Sequence, residues 1–473
     1  TFNGNVTMVS GPNFLAGGTI TTGPGVTISP NTYSLTMTGS VVLGGPVTPG
    51  KLTINGPSYI AADVTTTAAS TGDQTYNGAV TLGGNVTLTA NGGGVNTVIF
   101  ASTIDGGGYD LTVNAVNATK FQGAVSNVGT LTTDLVGSES TEIGGDVSGT
   151  TLIFNDEVVL KADSTLTGTL TAKSIDGTLG GLVVASANPQ IGGTSATVDG
   201  AALTGFTAGN PITFRESLQL TGNVSSGSGD QTYDGEVTLT GSATLSGDRV
   251  DILGGVAGTG QDLKLAPITA SKITGDVSGI GLLTVLGVAE IGETGKIISV
   301  TTSANQVYGA SVTMVSDVNL KGAELTAGYG FNSSGGAHDL TLDFSNPSTV
   351  YSGAAIGGTV PFNNLTISDA GHVEGTVLSG GTQTYRGAIV LNNATTLTSN
   401  GAGKSGDITF HGGIDGQGAN GLVVNTAGVT TFTKAVKDVT TLTTDAAGST
   451  RIGSSVAAST SQIYKDPVSL TGS

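Results

Sequence analysis

The sequence predicts an all-β chain, and within that class an elongated β-solenoid. Three observations carry the prediction: a recurrence every 77 residues or so, strict two-residue alternation inside it, and Gly-, Asn- and Asp-rich breaks between the alternating runs. A period this long marks a repeat architecture in which each unit contacts mainly its neighbours.

The recurrence is anchored on one aromatic position. Phe2, Tyr76, Phe154, Tyr233, Tyr308, Tyr385 and Tyr464 follow one another at 74, 78, 79, 75, 77 and 79 residues, by subtraction of positions. Four residues after the anchors stand Val6, Val80, Val158, Val237, Val312, Ile389 and Val468; six residues after them stand Met8, Leu82, Leu160, Leu239, Met314, Leu391 and Leu470. The repeat units are approximately 1-73, 74-151, 152-230, 231-305, 306-382 and 383-461, with a partial unit 462-473, all within one continuous solenoid spanning 1-473. A slower period overlies this one. Ala124–Asp134 (AVSNVGTLTTD) returns at Ala435–Asp445 (AVKDVTTLTTD), with a weaker echo at Asp276–Leu286. Alternate units carry other marks around Leu52, Ile212 and Leu365, giving three doublets of about 155 residues.

Inside a unit the signal is strand. Tyr76, Gly78, Val80 and Leu82 fall on one face, with Thr75, Asn77, Ala79 and Thr81 on the other. That is the pattern of a half-buried strand. Thr and Val suit strands, and breaks such as Asn91–Gly94, Asp105–Gly108 and Asn400–Gly403 separate the runs. No window shows capped helical periodicity. A propeller blade needs about 40 to 50 residues, so a unit of 77 is too long for one blade. With roughly 20 residues per coil, a unit holds three to four coils, and the chain holds somewhat over twenty, about 4.8 Å apart. On that arrangement the anchors come into line, forming a structural aromatic ladder that faces the core.

The strings GDQTYNGAVTLGGNVTLTA, TIDGGGYDLTVNAVNATKFQGAV and GLVVNTAGVTTFTKAV resemble the repeats of large bacterial surface exoproteins, the filamentous-haemagglutinin-like and autotransporter-like adhesins. The resemblance covers essentially the whole chain. It implies a right-handed parallel β-helix shaft, a secreted location on the bacterial cell surface, and a role as an adhesin stalk. It carries over no receptor, and the secretion domain found at the N-terminus of such proteins is not recognised here.

Composition narrows the partners. Glycine contributes 78 of 473 residues, charged residues 11%, and cysteine and tryptophan are absent. A net charge of −18 with 16 basic residues argues against nucleic acid and anionic membrane surfaces. The lack of cysteine excludes disulfides and thiolate metal sites. No apolar run approaches the roughly 18 residues of a membrane span. There is no initiator Met and no signal peptide, which is the expectation for a processed product or a segment of something longer.

Chemistry-bearing residues are dispersed. Asp110, Asp262 and Asp339 stand in a recurring Gly turn before a strand, as weak calcium candidates. Calcium needs six to eight oxygens, and one Asp every 77 or 150 residues does not supply a second carboxylate on a neighbouring coil. The alternative is an Asp capping backbone N–H groups. Asp105, Asp176 and Asp415 lie in Ile-Asp-Gly triplets and would serve a polysaccharide hydrolase only as close pairs, which the spacing does not provide. His338, His372 and His411 share no repeat phase, and no nucleophile motif accompanies them. Thr-x-Thr pairs such as Thr87–Thr89 and Thr396–Thr398 do not fall in one phase, as an ice-binding rank would require.

Neither end reads as the polar cap that closes a solenoid in water. Two expectations follow: a stretch of a longer polypeptide, or a protomer that adds head to tail through open β edges. The reading is a non-catalytic structural protein of the bacterial cell surface, an extracellular fibre or adhesin shaft. Its partners are itself and host or neighbouring-cell surface glycans or proteins. The alternative is a carbohydrate-binding or carbohydrate-cleaving β-helix protein, which a groove with clustered aromatics and carboxylates at one axial position would favour.

Overall fold

The structure, a computed structural model, describes residues 1–7, 11–29, 32–68, 72–133, 140–162, 164–176, 182–185, 190–191, 196–198, 201–203, 206–208, 211–214, 217–350, 355–358, 360–401 and 403–472. Among them there is no α-helix, only one 3-10 turn at Gly403–Gly406. The strands pair in parallel about 21 residues apart, in about 19 turns, and the fold is a β-solenoid. Two compact units are present, Thr1–Gly229 and Asp230–Ser473.

In the unit Thr1–Gly229 each turn lays strands on three faces. The first face stacks Lys51–Ile54, Gln74–Tyr76, Thr97–Phe100, Ala118–Phe121 and Ser140–Ile143. The second stacks Ser58–Ile60, Val80–Leu82 and Ile104–Asp105. The third stacks Val64–Thr66, Val86–Ala90 and Leu111–Ala115. Alternation turns every second side chain inward: Val86–Ala90 and Leu111–Ala115 both read buried–half-buried–buried–half-buried–buried. Tyr76, Phe100 and Phe121 then stack directly, with centroids 5.0 and 5.3 Å apart and planes within 11° and 7°. Each such ring contact adds about 0.5–1.5 kcal/mol to the burial of its ring.

The unit Asp230–Ser473 repeats the plan. Its second face is the longest run, from Val277–Ile280 through Ile297–Thr302, Asp317–Gly322, Leu340–Phe344, Leu365–Ile367, Gln383–Tyr385, Ile408–Phe410, Val429–Phe432 and Ser449–Ile452 to Val468–Leu470. On it Tyr385, Phe410 and Phe432 form the same three-ring stack, at 4.9 and 5.2 Å.

Some strands cross a corner without a loop by placing one residue in the left-handed region. Asn127, Gly279 and Asp438 do so, at φ 55°, 66° and 56°, in Val125–Thr133, Val277–Ile280 and Val436–Thr444. Asn, Asp and Gly are the residues that tolerate this conformation. In all three the carbonyl at the bend accepts the N–H of a glycine on the preceding turn: Gly108 at 2.7 Å, Gly260 at 2.6 Å and Gly418 at 2.6 Å.

The anchors face the core but do not come into line. In the first unit Tyr76 lies on the first face. Phe2 pairs with Thr22, whose column continues through Leu43 and Ile60 to Leu82 on the second face. Phe154 pairs with Thr133, below which lie Val113 and Leu88 on the third. In the second unit Tyr233 is on the first face, Tyr308 on the third and Tyr385 on the second. Tyr464 returns to the first, through Thr444, Val424, Leu397, Val377 and Ile356. The expectation of an aligned column is therefore corrected, and the reason is arithmetic. With about 21 residues per turn, a unit of 77 is three and two-thirds turns. Each anchor advances to another face, and within the unit Asp230–Ser473 the 231 residues from Tyr233 to Tyr464 (464 − 233), or eleven turns, restore the first.

Candidate functional sites

The anchor tyrosines form a buried polar motif with the residue two positions before them. Tyr76, Tyr233, Tyr308 and Tyr385 are at most 1% exposed. Each donates its hydroxyl to the Oε1 of Gln74, Gln231, Gln306 or Gln383, at 2.8, 2.8, 3.0 and 2.9 Å. The Gln side chains are themselves fully buried. Their Nε2 atoms donate to carbonyls of Thr89, Ser246, Lys321 and Thr398, each 15 residues on, at 2.9, 2.7, 2.8 and 2.8 Å. Burial raises the pKa of all four phenols. Tyr464 repeats the contact to Gln462 at 3.2 Å, more exposed. Phe154, which has no hydroxyl, follows Leu152, which has no amide. Phe2, half-buried, lacks the motif. The recurring Gln was a legible signal that reading by apolar columns passed over.

The calcium candidates act as caps between turns. Asp110 accepts the N–H of Thr130 at 2.7 Å, and Asp262 that of Leu282 at 2.8 Å. Asp339 accepts from the N–H of Asn364 at 3.0 Å and from the side-chain amides of Asn363 and Asn364 at 2.8 and 2.9 Å. Gly129 and Gly281 leave room for the first two carboxylates: a Cβ on either would stand 2.6 Å from the Asp oxygen. Asp63, Asp73, Asp146, Asp276, Asp317 and Asp407 cap in the same way, through Thr87, Thr97, Thr165, Ser299, Asp339 and Val429. Among the described residues no three His, Cys, Asp or Glu side chains gather as a metal site.

The remaining candidates stay apart. Asp105 accepts from the N–H of Gly107 at 3.1 Å and from Asn127 at 3.2 Å. Asp415 accepts from the N–H of Gln417 at 2.8 Å and meets Lys437 at 2.6 Å, which lowers its pKa. The side chain of Asp176 lies outside the described residues. His338 bonds the Ser334 carbonyl at 3.0 Å, and His372 bonds Asn392 at 2.6 Å. Threonines do line up on successive turns, as Thr87, Thr112 and Thr132 and, in a longer outward file, Thr341, Thr366, Thr384, Thr409 and Thr431. The longer one is a single file, followed by Arg451.

Among the described residues two carboxylates are buried. Asp156 (2% exposed) accepts from Thr133 and Thr141, and Asp466 (8%) from Thr444 and Thr450, at 2.8–3.0 Å. The two clusters are copies about 310 residues apart, where charge-assisted hydroxyl bonds offset desolvation. Neither Asp stood out in the sequence, because its threonines come from preceding turns. With these sites described, comparison adds no relative: no protein-family model, no curated protein and no solved structure matches the chain.

Proposed function

We propose that this chain is a structural protein, a shaft of an extracellular fibre or adhesin on a bacterial cell surface, which stacks end on end with copies of itself. One observation carries the reading: strands pair in parallel, turn on turn, about 21 residues apart over about 19 turns, around a core of inward side chains. A fold in which each turn contacts only its neighbours suits an extended scaffold, and a parallel strand edge pairs readily with another such edge. The dispersion of its carboxylates and histidines supports a scaffold over an enzyme. Negative-stain electron microscopy of the 473-residue chain across a concentration series tests the proposal. Filaments that lengthen with concentration are expected. Discrete particles unchanged by concentration would remove self-assembly and leave a shaft that belongs to a larger protein.

A further inference from the structure

One corner of the unit Thr1–Gly229, between its second and third faces, joins a groove to two exposed aromatic rings. Tyr59 projects from the second face, 43% exposed, and its ring lies over Gly83 on the next turn, where a Cβ would come within 2.2 Å of the ring. Tyr109 is 41% exposed, and its ring sits against Gly107, 3.7 Å from the point a Cβ would occupy. Gly83 thus lets the Tyr59 ring rest on the backbone, and the Tyr109 ring packs beside Gly107 on the following turn. Along the same corner follows a groove of about 490 Å³, floored by Gly108 and Gly149 and walled by Asn127, Ser148, Thr150 and Thr167. Asn127 is fixed by the left-handed bend and by the hydrogen bond its side-chain amide donates to Asp105. The lining contains no Lys or Arg.

The rings are not needed to build the turn. The copy 310 residues later makes the same bend with Gln417 and Ala419 where Gly107 and Tyr109 stand, and the copy at Gly260 has Gln261 in place of the tyrosine. An aromatic at this corner is therefore a property of one copy and serves something other than the fold.

The chemistry points to sugar. Aromatic faces stack on the C–H faces of pyranose rings, and hydroxyl and amide groups pair with sugar hydroxyls. A groove without cations, on a chain of net charge −18, is unsuited to an anionic polymer. Turns rise about 4.8 Å each, close to the advance of one sugar ring along an extended chain, so Tyr59 and Tyr109, which come from turns two apart, keep step with the sugars of such a chain. We propose that this corner binds an extended neutral polysaccharide lying along the solenoid axis of that unit. Tyr59 and Tyr109 stack on its rings, and Asn127, Ser148, Thr150 and Thr167 bond its hydroxyls.

The test is calorimetric titration of the full chain with hexasaccharides of β-linked glucose, α-linked glucose and β-linked N-acetylglucosamine, with oligogalacturonate as the anionic comparison. Binding of at least one neutral hexasaccharide is expected, insensitive to salt. Tyr59→Ala and Tyr109→Ala should each weaken it at least about fivefold, with melting unchanged, while Tyr109→Phe keeps it. The proposal is overturned if no neutral hexasaccharide binds, if only oligogalacturonate binds, or if both alanine variants bind like the parent. Filament formation is a separate readout, so failure here leaves the scaffold reading standing.

Discussion

Tyr385 and Gln383 show how one polar pair can live inside an apolar ladder. Removing only the hydroxyl, in Tyr385→Phe, leaves the Gln383 Oε1 buried without a donor, which costs about 1–3 kcal/mol. The chain itself contains the repaired version, Leu152 with Phe154. Gln383→Leu combined with Tyr385→Phe should therefore be more stable than Tyr385→Phe alone, and urea midpoints of the four species in a double-mutant cycle check this. Four such phenols also set the alkaline limit. Unfolded tyrosine titrates near pH 10, while burial raises Tyr76, Tyr233, Tyr308 and Tyr385 above that. Below about pH 10 both states keep the protons and stability is flat. Above it the unfolded chain binds fewer protons, so stability falls as pH rises. Urea midpoints at pH 9 and pH 11 should differ in that direction, and four of the ten tyrosines should give phenolate absorbance only on unfolding.

At the scale of a turn, Asp262 tests capping against calcium. Asn occupies equivalent caps at Asn5 and Asn364, which accept the N–H of Thr27 and Thr382. Asp262→Asn should be nearly neutral, and Asp262→Ala should cost about 1 kcal/mol. Millimolar calcium should leave the melting of the parent unchanged; a calcium-dependent rise lost in both variants would reinstate the ion. Strand identity was readable from alternation, because an inward position every second residue depends on local sequence alone. Caps were half readable: the Asp is visible, but its donor lies about 20 residues away, beyond any local pattern. Asp156 and Asp466 were invisible for the same reason.

For the molecule, the 77-residue recurrence gave the architecture but concealed the rotation of its anchors. No strong signal repeats at the turn length of about 21, so nothing in the sequence shows that the two periods are incommensurate. The rotation has a testable corollary. Anchors occupy each of three faces in the unit Asp230–Ser473, so the faces are interchangeable hosts. Deletion of 306-382, one whole unit, should leave a cooperatively melting β-protein whose circular dichroism per residue is unchanged. An unfolded or aggregated product would mean that each face accepts only its own sequence.

The capping aspartates share a direction: in every case the earlier turn supplies the carboxylate and the later turn the N–H. Some caps form relays, as where Asp317 receives Asp339, Asp339 receives Asn364, and Asn364 receives Thr382. A completed turn thus displays carboxylate acceptors for the backbone of a turn that has not yet arrived, while the buried Asp156 and Asp466 work the other way and accept hydroxyls from preceding turns. The backbone caps therefore give the stack a polarity: growth from the N-terminal side would meet their acceptors already in place.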